Sequence, residues 1–294
     1  MYLPDFKYHK PKTIKEASAI LLKSGNAAPI AGGTDLLVEI KTGLRQFRDI
    51  VSLSGIAELK QITEDDNNIF IGSALTHSEI IHSNLIQEKL SALAEAASKI
   101  GSHQIRNSGT IGGNLCTGAS CADTAPILMA YDASVELVSE NETRIINLKK
   151  FLIHHHQTDV RKGEILTKII VPKRNCITGA CFEKFGLREA ASISVASSAV
   201  VLSFENGICS DAGIVIGACG PTPVFSNKAS EVILGKSAKD IYGNNDIIES
   251  AAIAASEDSL PIDDIRGSAD YRRELTKVLT RRAIHNVVKR TGLV

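Results

Sequence analysis

Apolar and polar positions along the chain fall into three successive rhythms, each predicting a different kind of structure. Residues 1 to about 57 alternate helix and strand. Thr13 stands where a hydroxyl caps a helix running Ile14 to Ser24, with Glu16 in its first turn and Gly25 ending it. Ala28-Pro29-Ile30-Ala31 follows as a short strand. Asp35 to Thr42 reads as a helix with Asp35 at its electropositive start, and Ile50 to Leu53 as a buried strand.

The second zone, about 58 to 173, reads as α+β. Asn68 to Gly72 is a strand, and Thr76 caps a helix beginning near His77-Ser78-Glu79. Leu85 to Ile100 carries Leu90, Leu93, Ala97 and Ile100 at helical spacing and predicts one helix. Asp123 to Met129 predicts a short helix, Ser134 to Val138 an alternating strand, and Ile165 to Val171 a further strand closed by Pro172.

From about 175 the pattern changes again. Ile193 to Phe204 and Ile208 to Ala218 are strands joined by Glu205-Asn206-Gly207, a hairpin signal, and Phe182 to Leu187 adds a third strand. Gly220-Pro221-Thr222-Pro223 ends the sheet. Helices follow at Asn227 to Leu234, Asp246 to Ser256 and Ser268 to Arg290. The last is amphipathic, with Leu275, Val278, Leu279, Ala283, Val287 and Val288 facing inward.

Two diglycine segments interrupt these rhythms: Pro29-Ile30-Ala31-Gly32-Gly33-Thr34-Asp35-Leu36 and Thr110-Ile111-Gly112-Gly113-Asn114-Leu115. Each follows a strand-like ending and sets paired glycines beside hydroxyl or amide side chains. Without Cβ atoms such pairs accept positive φ and turn successive N–H groups into one concavity, a nest for an anion. Two nests brought together suit a pyrophosphate, and so a dinucleotide. A glycine pair by itself also fits an ordinary loop. Neither segment is the G-x-G-x-x-G of a nicotinamide-binding βαβ unit or the G-x-x-x-x-G-K-[ST] of a nucleoside triphosphatase.

Ala31 to Leu36, together with Gln104-Ile105-Arg106-Asn107-Ser108-Gly109-Thr110-Ile111-Gly112-Gly113-Asn114, closely resembles the FAD-binding subunit of molybdenum hydroxylases, the xanthine dehydrogenase and carbon monoxide dehydrogenase family. The resemblance continues through Ser120-Cys121-Ala122-Asp123, Glu164-Ile165-Leu166 and Phe182-Glu183-Lys184, and covers essentially the whole chain. Gly118 to Asp123 and Arg188-Glu189-Ala190-Ala191-Ser192-Ile193-Ser194 look most like bacterial xanthine dehydrogenases. The implied fold is α+β. It joins a two-subdomain FAD-binding domain of the PCMH/vanillyl-alcohol-oxidase type over residues 1–173 (subdomains about 1–57 and 58–173) to a C-terminal domain over 174–294 with a three-stranded antiparallel sheet and helices.

The resemblance also implies roles. Pro29, Ile30, Ala31, Gly32, Gly33, Thr34, Asp35 and Leu36, with Thr110, Ile111, Gly112, Gly113 and Asn114, would hold the pyrophosphate and ribityl chain through backbone amides, aided by the Thr34, Thr110 and Asn114 side chains. Asp123 would accept from a sugar or ribityl hydroxyl; it fits equally a helix N-cap before Thr124-Ala125-Pro126. Ile165 and Leu166 would meet the adenine or the ring, although a plain core strand accounts for them as well. Ile100 and Gly101 sit where the family packs a residue near the isoalloxazine, here without an aromatic side chain. Lys184 would approach the flavin, where a cation favours the reduced form; a solvated strand lysine is the plainer account. Neither diglycine segment contains a histidine or tyrosine for covalent attachment, so the expected FAD is dissociable.

Nothing in the chain suits a molybdopterin or an iron–sulfur cluster. Cys116-x4-Cys121 and Cys176-x4-Cys181 lack the adjacent C-x2-C of ferredoxin ligation and read as buried thiols. His154-His155-His156 reads as a surface loop, since consecutive histidines do not converge on one ion. The resemblance therefore places molybdopterin on a large partner subunit and [2Fe–2S] clusters on a small one, in a dimer of heterotrimers. This chain would take electrons from the clusters and pass them to NAD+. The other readings are a relative with a different acceptor, a scaffold without redox function, or a self-sufficient flavin reductase of the cell-wall enolpyruvyl type. The last needs a proton-donor constellation not found after residue 175.

Charge alters this picture little. Lysine and arginine number 33 against 33 acids, so no basic excess marks a nucleic-acid or membrane-surface partner. The longest apolar stretches, such as Ala190 to Phe204, are too short and too broken by serines to span a bilayer. Without a signal-peptide pattern in Met1 to Phe6, the six cysteines read as reduced thiols of a cytoplasmic protein.

Overall fold

The computed structural model describes residues 3–294; Met1 and Tyr2, where the first predicted zone begins, lie outside the described residues. That zone contains β1 (Lys7–His9), α1 (Ile14–Lys23), β2 (Ala27–Ile30), α2 (Leu36–Lys41) and β3 (Asp49–Ser52). The strands form a parallel sheet in the order β1-β3-β2. Thr13 caps α1 by accepting from the Glu16 amide at 3.2 Å. Ala17, Leu21 and Val51 pack on one face of the sheet, and Ala28, Ile40 and Ile50 form a second small core on the other. The carboxyl end of β2 opens directly into the first glycine turn, the end of a parallel strand at which α/β sheets bind ligands.

A 3₁₀ turn, Ala57–Lys60, leads into the second zone, which runs β4 (Ile62–Glu64), β5 (Asn68–Gly72), α3 (His77–His82), α4 (Asn84–Lys89), α5 (Ser91–Ser98), α6 (His103–Ser108), α7 (Ile111–Thr117), α8 (Thr124–Ala130), β6 (Ser134–Val138), β7 (Thr143–Asn147), α9 (Leu148–Phe151), β8 (Leu152–His154), β9 (Gln157–Thr158) and β10 (Ile165–Pro172). The main sheet is antiparallel, ordered β4-β5-β10-β6-β7. Thr76 and Glu79 form a reciprocal capping box at the start of α3. The single helix expected over Leu85 to Ile100 is two. Leu90 leaves the helical region (φ −135°, ψ 44°) and sinks into the core, so both helices direct apolar residues into the same cluster.

The third zone comprises β11 (Ile177–Gly186), β12 (Ser194–Glu205), β13 (Ile208–Gly217), β14 (Val224–Phe225), α10 (Asn227–Ile233), α11 (Ala238–Gly243), α12 (Asn245–Asp258) and α13 (Ala269–Arg290). Asn206 and Gly207 both take positive φ (53° and 78°), the type I′ geometry that matches the twist of the strands they join. The three predicted strands pair in the order β11-β12-β13, and β14 adds a fourth at the edge. Two residues are too few to show a period, which is why it left no trace in the pattern.

One face of this sheet, through Ala180, Phe182, Ala199, Val201 and Val215, joins the large core of the second zone. The other face, through Val200, Leu202, Ile214 and Ile216, lies under the C-terminal helices, including Leu279, Ala283 and Val287 of α13. The sheet is therefore packed on both sides, with β11 against α5 and β12 against α8, and Lys184 of β11 reaches Lys99 after α5 and Asp123 before α8.

Candidate functional site

The first glycine turn is assembled by one left-handed residue. Gly33 has φ +69° and brings the chain from β2 into α2. The first intrahelical bond runs from the Leu37 amide to Gly33 O (3.1 Å). The amides of Thr34, Asp35 and Leu36 stand ahead of it, at the positive end of the helix. Asp35 occupies the N-cap position but makes no side-chain cap; its carboxylate accepts from Thr117 Oγ1 at 3.1 Å, at the far end of α7. Pro29 is exposed, Ile30 is buried in the small core, and Ala31, Gly32, Thr34 and Leu36 are half-buried.

The second glycine segment departs from expectation. Gly112 and Gly113 do not take positive φ; they lie in the first turn of α7, capped by Thr110. Their amides are already used. Ile111 N–H donates to Leu75 O (2.9 Å), Gly112 N–H to Ser73 O (2.8 Å), Gly113 N–H to Thr110 Oγ1 (3.1 Å) and Asn114 N–H to Thr110 O (2.9 Å). Asn114 Oδ1 accepts from Thr124 Oγ1 at 2.6 Å. The second amide nest is thus corrected to a helix start whose glycines serve close contact: a Cβ on Gly112 would sit 2.5 Å from Ser73 Cβ and 2.7 Å from its carbonyl oxygen. The Thr110 hydroxyl accepts from Gly113 and keeps its own proton to donate.

The two segments touch. A Cβ on Gly32 would enter the Ser108 carbonyl and lie 2.9 Å from Gly109 Cα, while Gly109 faces Thr34 Oγ1 and the His77 ring. His77 is buried, 2% exposed, and among the described residues its Nδ1 has no hydrogen-bond partner. Burial, with the nearby Arg106 guanidinium adding to it, pushes its pKa down to about 4, so the ring is neutral. Arg106 Nη1 donates to the carbonyls of Ile100 (2.8 Å) and Gly101 (3.2 Å), closing that loop onto α6. Gly101 there has φ +44°.

Asp123 lies at the start of α8 but does not cap it. Its Oδ2 receives Lys184 Nζ at 2.6 Å and its Oδ1 receives Ser194 Oγ at 2.5 Å. Lys184 also donates to Lys99 O at 2.9 Å, beside Ile100. The Lys184 and Asp123 side chains are 8% and 6% exposed, so Lys184 is no solvated strand lysine. Burial pushes the Asp123 carboxyl up, and the Lys184 ammonium and Ser194 hydroxyl pull it back. Ser194 carried no role in the sequence reading, and the signal for it, a register shift, is invisible there. Ile165 and Leu166 point to opposite cores from the start of β10. Their side chains are committed to packing, which leaves only their backbone for a ligand.

The histidine run lies exposed on the β8–β9 hairpin, where His155 Nδ1 accepts from Ser120 N–H (3.3 Å) and His156 Nδ1 meets Thr117 O (2.9 Å). Among the described residues no group of three or more histidine, cysteine or acidic side chains is placed to hold a metal. No described helix is long and apolar enough to cross a membrane. A cavity of about 530 Å³ between α12 and α13, lined by Tyr271 and Lys277 among others, shares no residue with this site.

Residues 4–174 match the FAD binding domain in molybdopterin dehydrogenase, and residues 180–287 match the CO dehydrogenase flavoprotein C-terminal domain. The chain is 31% identical to the xanthine dehydrogenase FAD-binding subunit of Escherichia coli O157:H7, over 97% of each chain. It is 32% identical to the carbon monoxide dehydrogenase medium chain of Afipia carboxidovorans, again over 97% of each. Reconstituted CO dehydrogenase from Oligotropha carboxidovorans contains a chain that superposes with a TM-score of 0.93 at 30% identity, over 99% of this chain and 100% of that one.

Proposed function

The chain belongs to the FAD-binding medium subunits of the molybdenum hydroxylase family, and from that premise we propose that it is the electron-transfer subunit of a xanthine dehydrogenase-like enzyme with NAD+ as acceptor. The observation that carries the cofactor assignment is the contact of Gly32 with Ser108 and Gly109, which brings the unbonded amides of Thr34 to Leu36 up to the stretch that leads into Thr110. Those amides, at a helix start, suit the pyrophosphate of a dissociable FAD. The Thr34 and Thr110 hydroxyls and the Asn114 amide would add side-chain bonds. The Ile100–Gly101 loop would pack near the isoalloxazine, with Asp123 and Lys184 beside it, and the Ile165–Leu166 backbone would meet the adenine or the ring.

When bound, FAD supplies exchange of one or two electrons at a time, the property needed between one-electron clusters and a hydride acceptor. The chain's own residues position it and set the charge around it. The [2Fe–2S] clusters would lie on a small partner and molybdopterin on a large one, in a cytoplasmic dimer of heterotrimers acting on a purine. A second reading has a support of its own: the chain is as similar to a carbon monoxide dehydrogenase medium chain as to a xanthine dehydrogenase subunit. On that reading the substrate and the acceptor both differ.

Two measurements test this. Purified protein titrated with FAD should quench flavin fluorescence at a one-to-one endpoint; no binding sinks the cofactor assignment. NADH added anaerobically should bleach the bound flavin. A flavin that stays oxidised under NADH discards NAD+ as the acceptor and favours the second reading.

A further inference from the structure

Asp123 forgoes the helix cap that its position offers and turns both carboxylate oxygens toward another part of the chain. Lys184 reaches it from β11 and Ser194 from β12. Regular pairing would not deliver both. Lys184 pairs with Ser197, and in an uninterrupted strand Ser194, three residues on, would point to the opposite face. The register slips between Phe185 and Gly186, so that Ser194 pairs with Gly186, which shares the face of Lys184. Val195 is the inserted residue, and the bulge re-aims the serine by one phase.

This bulge is held from behind. The carbonyl of Val195 accepts from Arg272 Nη1 at 3.0 Å, and the same nitrogen donates to Ala218 O at 3.2 Å. Arg272, 4% exposed, is fixed in turn by Asp264 through Nη2 at 2.5 Å. A buried arginine whose two terminal nitrogens tie the bulge carbonyl to Ala218 and Asp264 marks the bulge as a built feature.

We propose that Ser194 is a positioning residue for the bound flavin: by holding Asp123 Oδ1 it locks the Asp123–Lys184 ion pair across the junction of the FAD-binding half and the C-terminal sheet, and so sets the charge beside the ring. The inference rests on the reading that FAD binds at the glycine turns. It adds that the C-terminal sheet completes the cofactor site from the other side. Lys184 at the same time holds the Lys99 carbonyl, so the ion pair and the Ile100–Gly101 loop move as one unit.

The test uses the full chain loaded with FAD, comparing wild type with Ser194→Ala and Ser194→Thr by flavin fluorescence titration, reduction potential of the bound flavin and urea denaturation. Loss of a hydrogen bond to a buried ion should weaken FAD about tenfold (about 1.4 kcal/mol) in S194A. The potential should fall, because the carboxylate loses the donor that spreads its negative charge, and S194T should restore both. Should S194A fail to fold, Ser194→Cys, of nearly the same size but a weak donor, carries the same expectation. Unchanged affinity and potential in the variant would overturn the proposal, as would weakened binding that tracks lost stability at constant potential. Failure of wild type itself to bind FAD would instead overturn the reading beneath it.

Discussion

Two glycine pairs that look alike in the sequence do opposite things in the fold. At Gly32-Gly33 the chain needs a left-handed residue, and the amides that follow are left without a helical acceptor. At Gly112-Gly113 the backbone is helical, every amide from Ile111 to Asn114 is bonded inside the protein, and Gly112 is glycine because Ser73 leaves no room for a side chain. The first pair leaves amides free for the proposed cofactor; the second starts a helix whose preceding residues, Ser108 and Gly109, press against it. Glycine is thus ambiguous between freedom of φ and closeness of approach, and only the neighbours decide which.

The sharpest way to break this contrast is to add one methyl group to each glycine of the second pair. Gly112→Ala would push Cβ into Ser73 backbone and side chain and break the bond from Gly112 N–H to Ser73 O. Overpacking plus a lost buried hydrogen bond should cost roughly 3–5 kcal/mol. Gly113→Ala meets only Thr110 Oγ1, at 2.8 Å, and gains helix propensity, so it should stay within about 1 kcal/mol of wild type. Urea melts of the two variants decide it, and equal losses would mean that the pair works as a flexible turn after all.

The seam between the two segments should also respond to acid. His77 is neutral when folded, with its pKa lowered to about 4, against 6.5 in the unfolded chain. Between those values the unfolded state binds more protons, so this stability is complete above pH 6.5 and is lost as pH falls through 4. The full depression corresponds to about 3 kcal/mol. His77→Leu should flatten the slope of stability between pH 6.5 and 4; a variant as acid-sensitive as wild type would place the acid-labile group elsewhere.

Gly33→Ala tests the first pair. A non-glycine residue at φ +69° should cost about 1–2 kcal/mol of stability, and the shifted amides should weaken FAD at least about tenfold. Weakened stability with unaltered FAD affinity would remove this turn from the cofactor site.

Legibility in the sequence followed the range of the forces involved. Elements set by local pattern were readable: the Asn206-Gly207 hairpin, the Thr76 cap and α13 all formed where the residues pointed. Elements decided by contact were not. The break at Leu90 comes from shared burial of two helices, and β14 exists only because β13 offers it an edge. The same divide runs through the site. Asp123 and Lys184 carried the right chemistry in isolation, but their ion pair is a tertiary fact, and Ser194 depends on a register slip that no period reveals. Arg272 was invisible for a further reason: a buried arginine sits among the charged positions of an amphipathic helix and looks like its solvated neighbours.

The smallest effect expected separates the two threonines. Thr110 caps α7 through Gly113 N–H, whereas Thr34 caps no helix and lies against Gly109. Thr110→Ala should therefore lose about 1 kcal/mol of stability together with FAD affinity, and Thr110→Ser should recover both. Thr34→Ala removes a hydroxyl without a structural duty, so its stability should change by no more than about 0.5 kcal/mol while FAD binding weakens. Thermal melts of the apo forms beside FAD titrations give both quantities for each variant. If both alanine variants lose stability equally, the two segments share the structural load. A stable Thr34→Ala with weaker FAD binding would instead mean that one segment carries the ligand and the other carries the fold.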